Sequence, residues 1–144
     1  MVNQYRVILT SISKLLNIKE LVFKMTNPFR DQEKFMRASD QTVGDLNEAQ
    51  YKLYLDLMDE EWKELQVALD AGDRVEQLDA LLDFIVVTIG AIHSGGFDGE
   101  GGWKEVIGTN LAKIDKETGK VRKREDGKVL KPVGWVPPNL KPFV

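Results

Sequence analysis

The sequence predicts an all-α protein, an antiparallel bundle of about four helices with a basic C-terminal arm, and three observations predict it. From Asp45 to Ala71 there is no glycine or proline, and Leu46, Leu53, Leu57, Leu65 and Leu69 are set among charges, as in a long amphipathic helix. Gly72 and Asp73 then give a helix stop and a new start, so the next helix must turn straight back on the first. No repeat and no low-complexity tract divides the chain, whose 144 residues suit one domain with a modest core.

Residues 1–24 are read as an N-terminal extension. Val7–Thr10 and Leu15–Phe23 are apolar in patches, but Arg6, Lys14, Lys19 and Glu20 interrupt them. No run approaches the ~20 apolar residues a membrane span needs. The run Val7–Ile12 is short for a signal peptide and no clear small-residue cleavage site follows, so a cytosolic location is expected. Residues 25–144 form the expected domain. Asn27–Ala38, with Phe29, Phe35 and Met36, is a candidate first helix.

Asp45 and Glu48, three apart, resemble a capping pair opening the long second helix. Asp73 and Glu76 repeat that signal for the third, which runs to about Ser94 and stops at Gly95 and Gly96. Its second half, from Leu78 through Leu81, Leu82, Phe84, Ile85, Val86, Val87 and Ile89 to Ile92, is apolar nearly all round. Such a helix is buried on every side, and in so small a protein a subunit interface is the expected cover.

The glycine-rich run 95–102 is read as a loop. It follows a helix and lacks the Gly-Lys-Ser/Thr ending, so it is not a phosphate loop. Trp103–Ile114 is the expected last helix, and the arm begins near residue 115. In the arm, Asp126-Gly127 between candidate strands signals a hairpin, and Pro132 to Pro142 reads as extended surface chain.

Composition narrows the chemistry. With no cysteine there is no disulfide, thiolate site or cysteine nucleophile, and a single histidine, His93, rules out a histidine-rich metal site within one chain. Oxygen ligands therefore remain, and they favour magnesium, manganese or calcium. A net charge of -3 gives no general reason to bind nucleic acid or anionic membrane.

The acids cluster on the two long helices. Glu60, Glu61 and Glu64 lie within one turn, with Glu64 beside both of the others; Asp79 and Asp83, four apart, share a face of the next helix. Taken alone, the glutamates read as a solvated face. The aspartates lie in the most apolar helix, where a buried unpaired carboxylate costs several kcal/mol. A lysine, an arginine or a metal must then neutralise them. Convergent carboxylates can hold Mg2+ or Mn2+ with open positions for phosphate oxygens and a water nucleophile. A di-iron bundle needs Glu-x-x-His, and Gly90 stands three before His93.

Glu60-Glu61-Trp62-Lys63-Glu64-Leu65 followed by Leu78-Asp79-Ala80-Leu81-Leu82-Asp83 resembles the MazG-like and phosphoribosyl-ATP pyrophosphohydrolase superfamily of all-α nucleotide pyrophosphatases. That resemblance implies Glu-x-x-Glu on one helix and Glu-x-x-Asp on the next, binding Mg2+ or Mn2+. Glu61, Glu64 and Asp83 match, whereas the second-helix glutamate falls at Ala80. The fourth ligand is then Asp79, which shares a face with Asp83, or Glu76 in a shifted register; Asp79 is preferred. Glu60 becomes a candidate for orienting water or for supporting the ligands.

The resemblance extends through Thr109–Lys113, Asp126–Pro132, Trp135, Pro137 and Pro138, covering roughly residues 26–140. It implies that Asn110 binds phosphate or sugar and that Lys113 and Lys128 neutralise phosphate. It further implies hydrolysis of a nucleoside triphosphate to monophosphate and pyrophosphate, in a dimer or tetramer with the site at a subunit interface. A purine, dGTP above all as in small phage relatives, is the first choice of base; dUTP, dCTP and damaged nucleotides are the alternatives. Two rival classes remain: a non-catalytic helical oligomerisation protein, and a nucleic-acid binder using Lys120–Lys131.

Overall fold

The computed structural model describes residues 27–144, so the expectation for residues 1–24 lies outside the described residues. Four helices follow one another: α1 (Pro28–Ala38), α2 (Glu48–Ala71), α3 (Arg74–Ser94) and α4 (Gly99–Leu111). A single 3-10 turn, Lys141–Phe143, closes the chain. Among the described residues there are isolated bridges but no strand, so the fold is all-α.

Each helix starts on a side chain that accepts otherwise orphaned amides. Asn27 caps α1, accepting from Phe29 and Arg30, and Asp73 caps α3, accepting from Val75 and Glu76. Asp45 does not cap α2. Asn47 does, accepting from the Gln50 amide, because Leu46 is held in a bridge to Gly95 and the helix cannot begin before it. Gly72, with φ of 68°, makes the turn between α2 and α3, which pack antiparallel along their length.

The core is small. Met36 of α1, Tyr54 of α2, and Val87 and Ala91 of α3 form its centre, with Val43, Tyr51, Leu57 and Met58 against it. Leu65 and Ala68 of α2 and Ala80 of α3 continue the seam toward the α2–α3 turn. Gly90 lets the helices approach: a side chain there would collide with the Tyr54 ring, whose hydroxyl donates to Gln41 Oε1 at 2.7 Å. The all-round apolar half of α3 is covered only in part. Leu78, Leu81, Leu82, Ile85 and Val86 are exposed in the single chain.

The glycine run departs most from expectation. Asp98 caps a helix that begins at Gly99, four residues before Trp103, and ends at Leu111 rather than Ile114. Tertiary packing overrides propensity here. A Cβ at Gly99 would lie 2.6 Å from the Phe29 ring, and one at Gly101 2.6 Å from the Phe143 ring. The hairpin at Asp126-Gly127 forms as a short ladder, with Arg124 and Leu130 amides donating to the Lys128 and Arg122 carbonyls. The last residues are not free extended chain. They fold back on α4 through Trp135 Nε1, which donates to the Thr109 carbonyl, and the Asn139 amide, which donates to Glu105.

Candidate metal and nucleotide site

The inward register of α2 is Tyr54, Met58, Glu61, Leu65 and Ala68, at alternating spacings of four and three. Glu61 therefore occupies a core position between apolar neighbours. It is half-buried, and its Oε2 is shut off from solvent without a hydrogen-bond partner among the described residues. Glu60 and Glu64, together on one flank of this stripe, are exposed.

On α3 the inward register is Gln77, Ala80, Phe84, Val87, Ala91 and Ser94. Asp79 and Asp83 flank that stripe and are exposed, which corrects the expectation that they are buried. The apolar residues around them are themselves uncovered in one chain. Ala80, at the position where the superfamily pattern has glutamate, is only 5% exposed and packs in the seam.

The acids nevertheless act on one another. Burial pushes the Glu61 carboxyl above its ordinary range, and the charges of Glu64, Asp83, Asp79 and Glu60 push it further, in that order. This ties the two helices into one electrostatic unit and sets Asp79, rather than Glu76, among the leading charges on Glu61. Glu76 sits in the first turn of α3, its amide donating to Asp73 Oδ1 at 3.2 Å.

Lys52 and Lys63 pair with Asp56 and Asp59 on the outer side of α2, and among the described residues no ion pair reaches Glu60, Glu61, Glu64, Asp79 or Asp83. The donor chemistry and the stranded Glu61 oxygen fit a hard divalent cation. The carboxylates are not, however, drawn together as a finished ligand set: among the described residues no three acidic, histidine or cysteine side chains are grouped to hold a metal ion.

Asn110 and Lys113 share the end of α4, where Lys113 Nζ donates to Asn110 Oδ1 at 2.8 Å. Lys128 stands exposed at the hairpin tip, its amide donating to Asp126 Oδ1. His93 packs against α1: its Nε2 lies 2.8 Å from the Phe29 carbonyl and its ring meets Phe29 edge-on. The core position of Glu61 went unnoticed in the sequence, although the four-three register through Tyr54, Met58, Leu65 and Ala68 carried the signal.

The chain thus presents a helical hairpin whose Glu60, Glu61, Glu64, Asp79 and Asp83 enter no ion pair among the described residues. The family model described as phosphoribosyl-ATP pyrophosphohydrolase matches residues 30–110, more than half the chain, and the protein belongs to that family. The family is typically dependent on divalent metal. The matched span takes in α2 and α3 whole and ends on Asn110, leaving Lys113, Lys128 and the arm beyond it. No curated protein matches the chain. Among the described residues no helix is long and apolar enough to cross a membrane.

Proposed function

We propose that this protein is a divalent-metal-dependent nucleoside triphosphate pyrophosphohydrolase, releasing a nucleoside monophosphate and pyrophosphate. The observation that carries the reading is Glu61, a core-register carboxylate whose Oε2 has no partner among the described residues and whose carboxyl feels four further carboxylates. Glu61, Glu64, Asp79 and Asp83 would hold the ion. Bound Mg2+ or Mn2+ would neutralise phosphate charge and make a water acidic enough to attack. Glu60 would orient the attacking water and accept its proton. A bond forms from the water oxygen to phosphorus, the α–β bridge breaks, and pyrophosphate leaves. Asn110, Lys113 and Lys128 hold phosphate or sugar.

The reading includes a homo-oligomer, dimer or tetramer, with the site at the subunit interface. The exposed Leu78, Leu81, Leu82, Ile85 and Val86 support it, because a contiguous apolar face of this kind marks an interaction surface. A purine substrate, dGTP or GTP, is the first choice, and the family's described nucleotide is itself a purine. The dGTP-directed phage type, with the host cytoplasm as its setting, remains part of this proposal.

The test is product analysis. Each canonical NTP and dNTP, and phosphoribosyl-ATP, is incubated with the protein and Mg2+, Mn2+ or chelator, and monophosphate, diphosphate and pyrophosphate are resolved. Metal-dependent monophosphate plus pyrophosphate is expected, with the rates ranking the bases. Release of orthophosphate and diphosphate would overturn the assigned bond. Absence of turnover on every substrate would favour the non-catalytic assembly role that the same apolar face would serve.

A further inference from the structure

Where α1, the end of α3 and the start of α4 meet, an open groove of about 260 Å³ runs between them. Its wall includes Phe29, Ile92, Phe97, Trp103, Val106 and Leu140. The outer members are poorly covered among the described residues, Trp103 being 57% exposed and Leu140 43%. A contiguous carbon surface of this kind marks a docking surface. It lies at the C-terminal end of α3, away from the turn between α2 and α3.

The position of the first described residues says what can reach it. Asn27 caps α1, Pro28 opens the helix, and Phe29, in its first turn, is part of the groove wall. Pro28 sets the backbone at the first helical position, and Arg30 Nε donates to Glu100 Oε1 at 2.8 Å, which pins the start of α1 to the first turn of α4. Residues 1–26 are therefore joined to the fold at the rim of the groove.

Their sequence supplies a matching surface close by. Leu15, Leu16, Ile18, Leu21, Val22 and Phe23 make the stretch Leu15–Phe23 mostly apolar. Only Lys24, Met25 and Thr26 stand between Phe23 and Asn27, a leash of at most ~14 Å when extended. A segment on so short a leash is presented at an effective concentration of roughly millimolar.

We propose that this groove is the seat of the chain's own segment Leu15–Phe23. Its apolar side chains leave water against Trp103, Val106 and Leu140, and the short leash favours it over any separate partner. The N-terminal extension is then a part of the fold that ties α1 to α4. The proposal holds whichever reaction the acids of α2 and α3 perform.

The chain has no cysteine, so cysteine pairs report on the segment without background. In the full chain, Leu140→Cys is combined in turn with Ile18→Cys, Leu21→Cys and Val22→Cys, and each pair is oxidised at low protein concentration. A disulfide needs its Cα atoms within about 7 Å of each other. At least one pair is expected to close within the chain roughly tenfold faster than the same segment cysteine paired with Lys116→Cys, beyond the far end of α4. Equal rates at the two positions would overturn the proposal. So would cross-links that only join two chains, which would give the groove to a second copy.

Melting curves provide an independent readout. Leu16→Asp, Leu21→Asp and Phe23→Asp combined in one chain are expected to lower the melting temperature by roughly 4 °C. Val7→Asp with Ile8→Asp, outside the segment, should leave it unchanged. An unchanged melting temperature in the triple variant, or an equal loss in the control, would also overturn the assignment.

Discussion

The two ends of the α2–α3 hairpin are built on opposite terms. Near the C-terminal end of α3, glycines bring surfaces into contact: Gly90 against Tyr54, Gly99 against Phe29, Gly101 against Phe143. Polar groups there are answered, as where Gln50 bonds to Thr42 and to the buried Ser94 hydroxyl at 2.8 Å. Toward the α2–α3 turn, Glu61 takes a core position with a stranded oxygen, and leucines of α3 face outward. Buried polar groups are ordinarily satisfied within the fold. The contrast therefore teaches that one end supplies stability, while the other keeps a carboxylate oxygen without a partner among the described residues.

Breaking the packed end should have the largest effect on stability. Gly90→Val places a branched side chain against the Tyr54 ring, and overpacking of this kind costs up to about 3 kcal/mol. A melting temperature lowered by roughly 10 °C is expected. An unchanged melting curve would show that α2 and α3 do not need their close approach.

The acid end should respond in activity. Asp79→Asn is expected to lower turnover by about tenfold more than Glu76→Gln, since Asp79 is among the leading charges on Glu61 while Glu76 sits in the first turn of α3. Steady-state rates at saturating Mn2+ check this. The reverse order would shift the ligand register by one helical turn.

A smaller effect lies in pH. The Glu61 carboxyl is raised above its ordinary range by burial and by neighbouring carboxylates, so the folded chain binds this proton more tightly than the unfolded chain. The group's favourable contribution is complete below the unfolded value of about 4.3 and is lost as pH rises through the higher folded one. Glu61→Gln removes that loss. Without metal at pH 7 it should melt above wild type, the gap closing as pH falls into the ordinary carboxylate range. Mn2+ should stabilise wild type and leave the variant unmoved. A variant less stable throughout that range would place Glu61 in ordinary packing.

Much of this division was legible in the residues, and where it was not, tertiary context decided. Leucine spacing, Gly72 and the Asp73 cap specified the hairpin, because they act within a few residues of themselves. The opening of α4 through four glycines was not legible, since the need for bare backbone comes from Phe29, Ile92 and Phe143, distant in sequence. Asp45 gave a plausible cap, but the bridge between Leu46 and Gly95 moves the start of α2 to Asn47. Asp79 and Asp83 were read as buried from the apolar company they keep, yet in one chain that company is itself exposed. The acids and the family could be read from local spacing. The raised state of Glu61 was legible only in part, because its burial follows the α2 register while the charges of Asp83 and Asp79 come from the neighbouring helix.

The most direct measurement is product-resolved turnover by Asp83→Asn beside wild type, with Mg2+ and Mn2+, on protein whose helical circular dichroism and melting curve match wild type. Asp83 is exposed and unpaired in the single chain, so its replacement should leave the fold intact. The account predicts that release of monophosphate and pyrophosphate falls by at least about a hundredfold. Wild-type turnover in that variant would contradict the assignment of the acid face as the metal site.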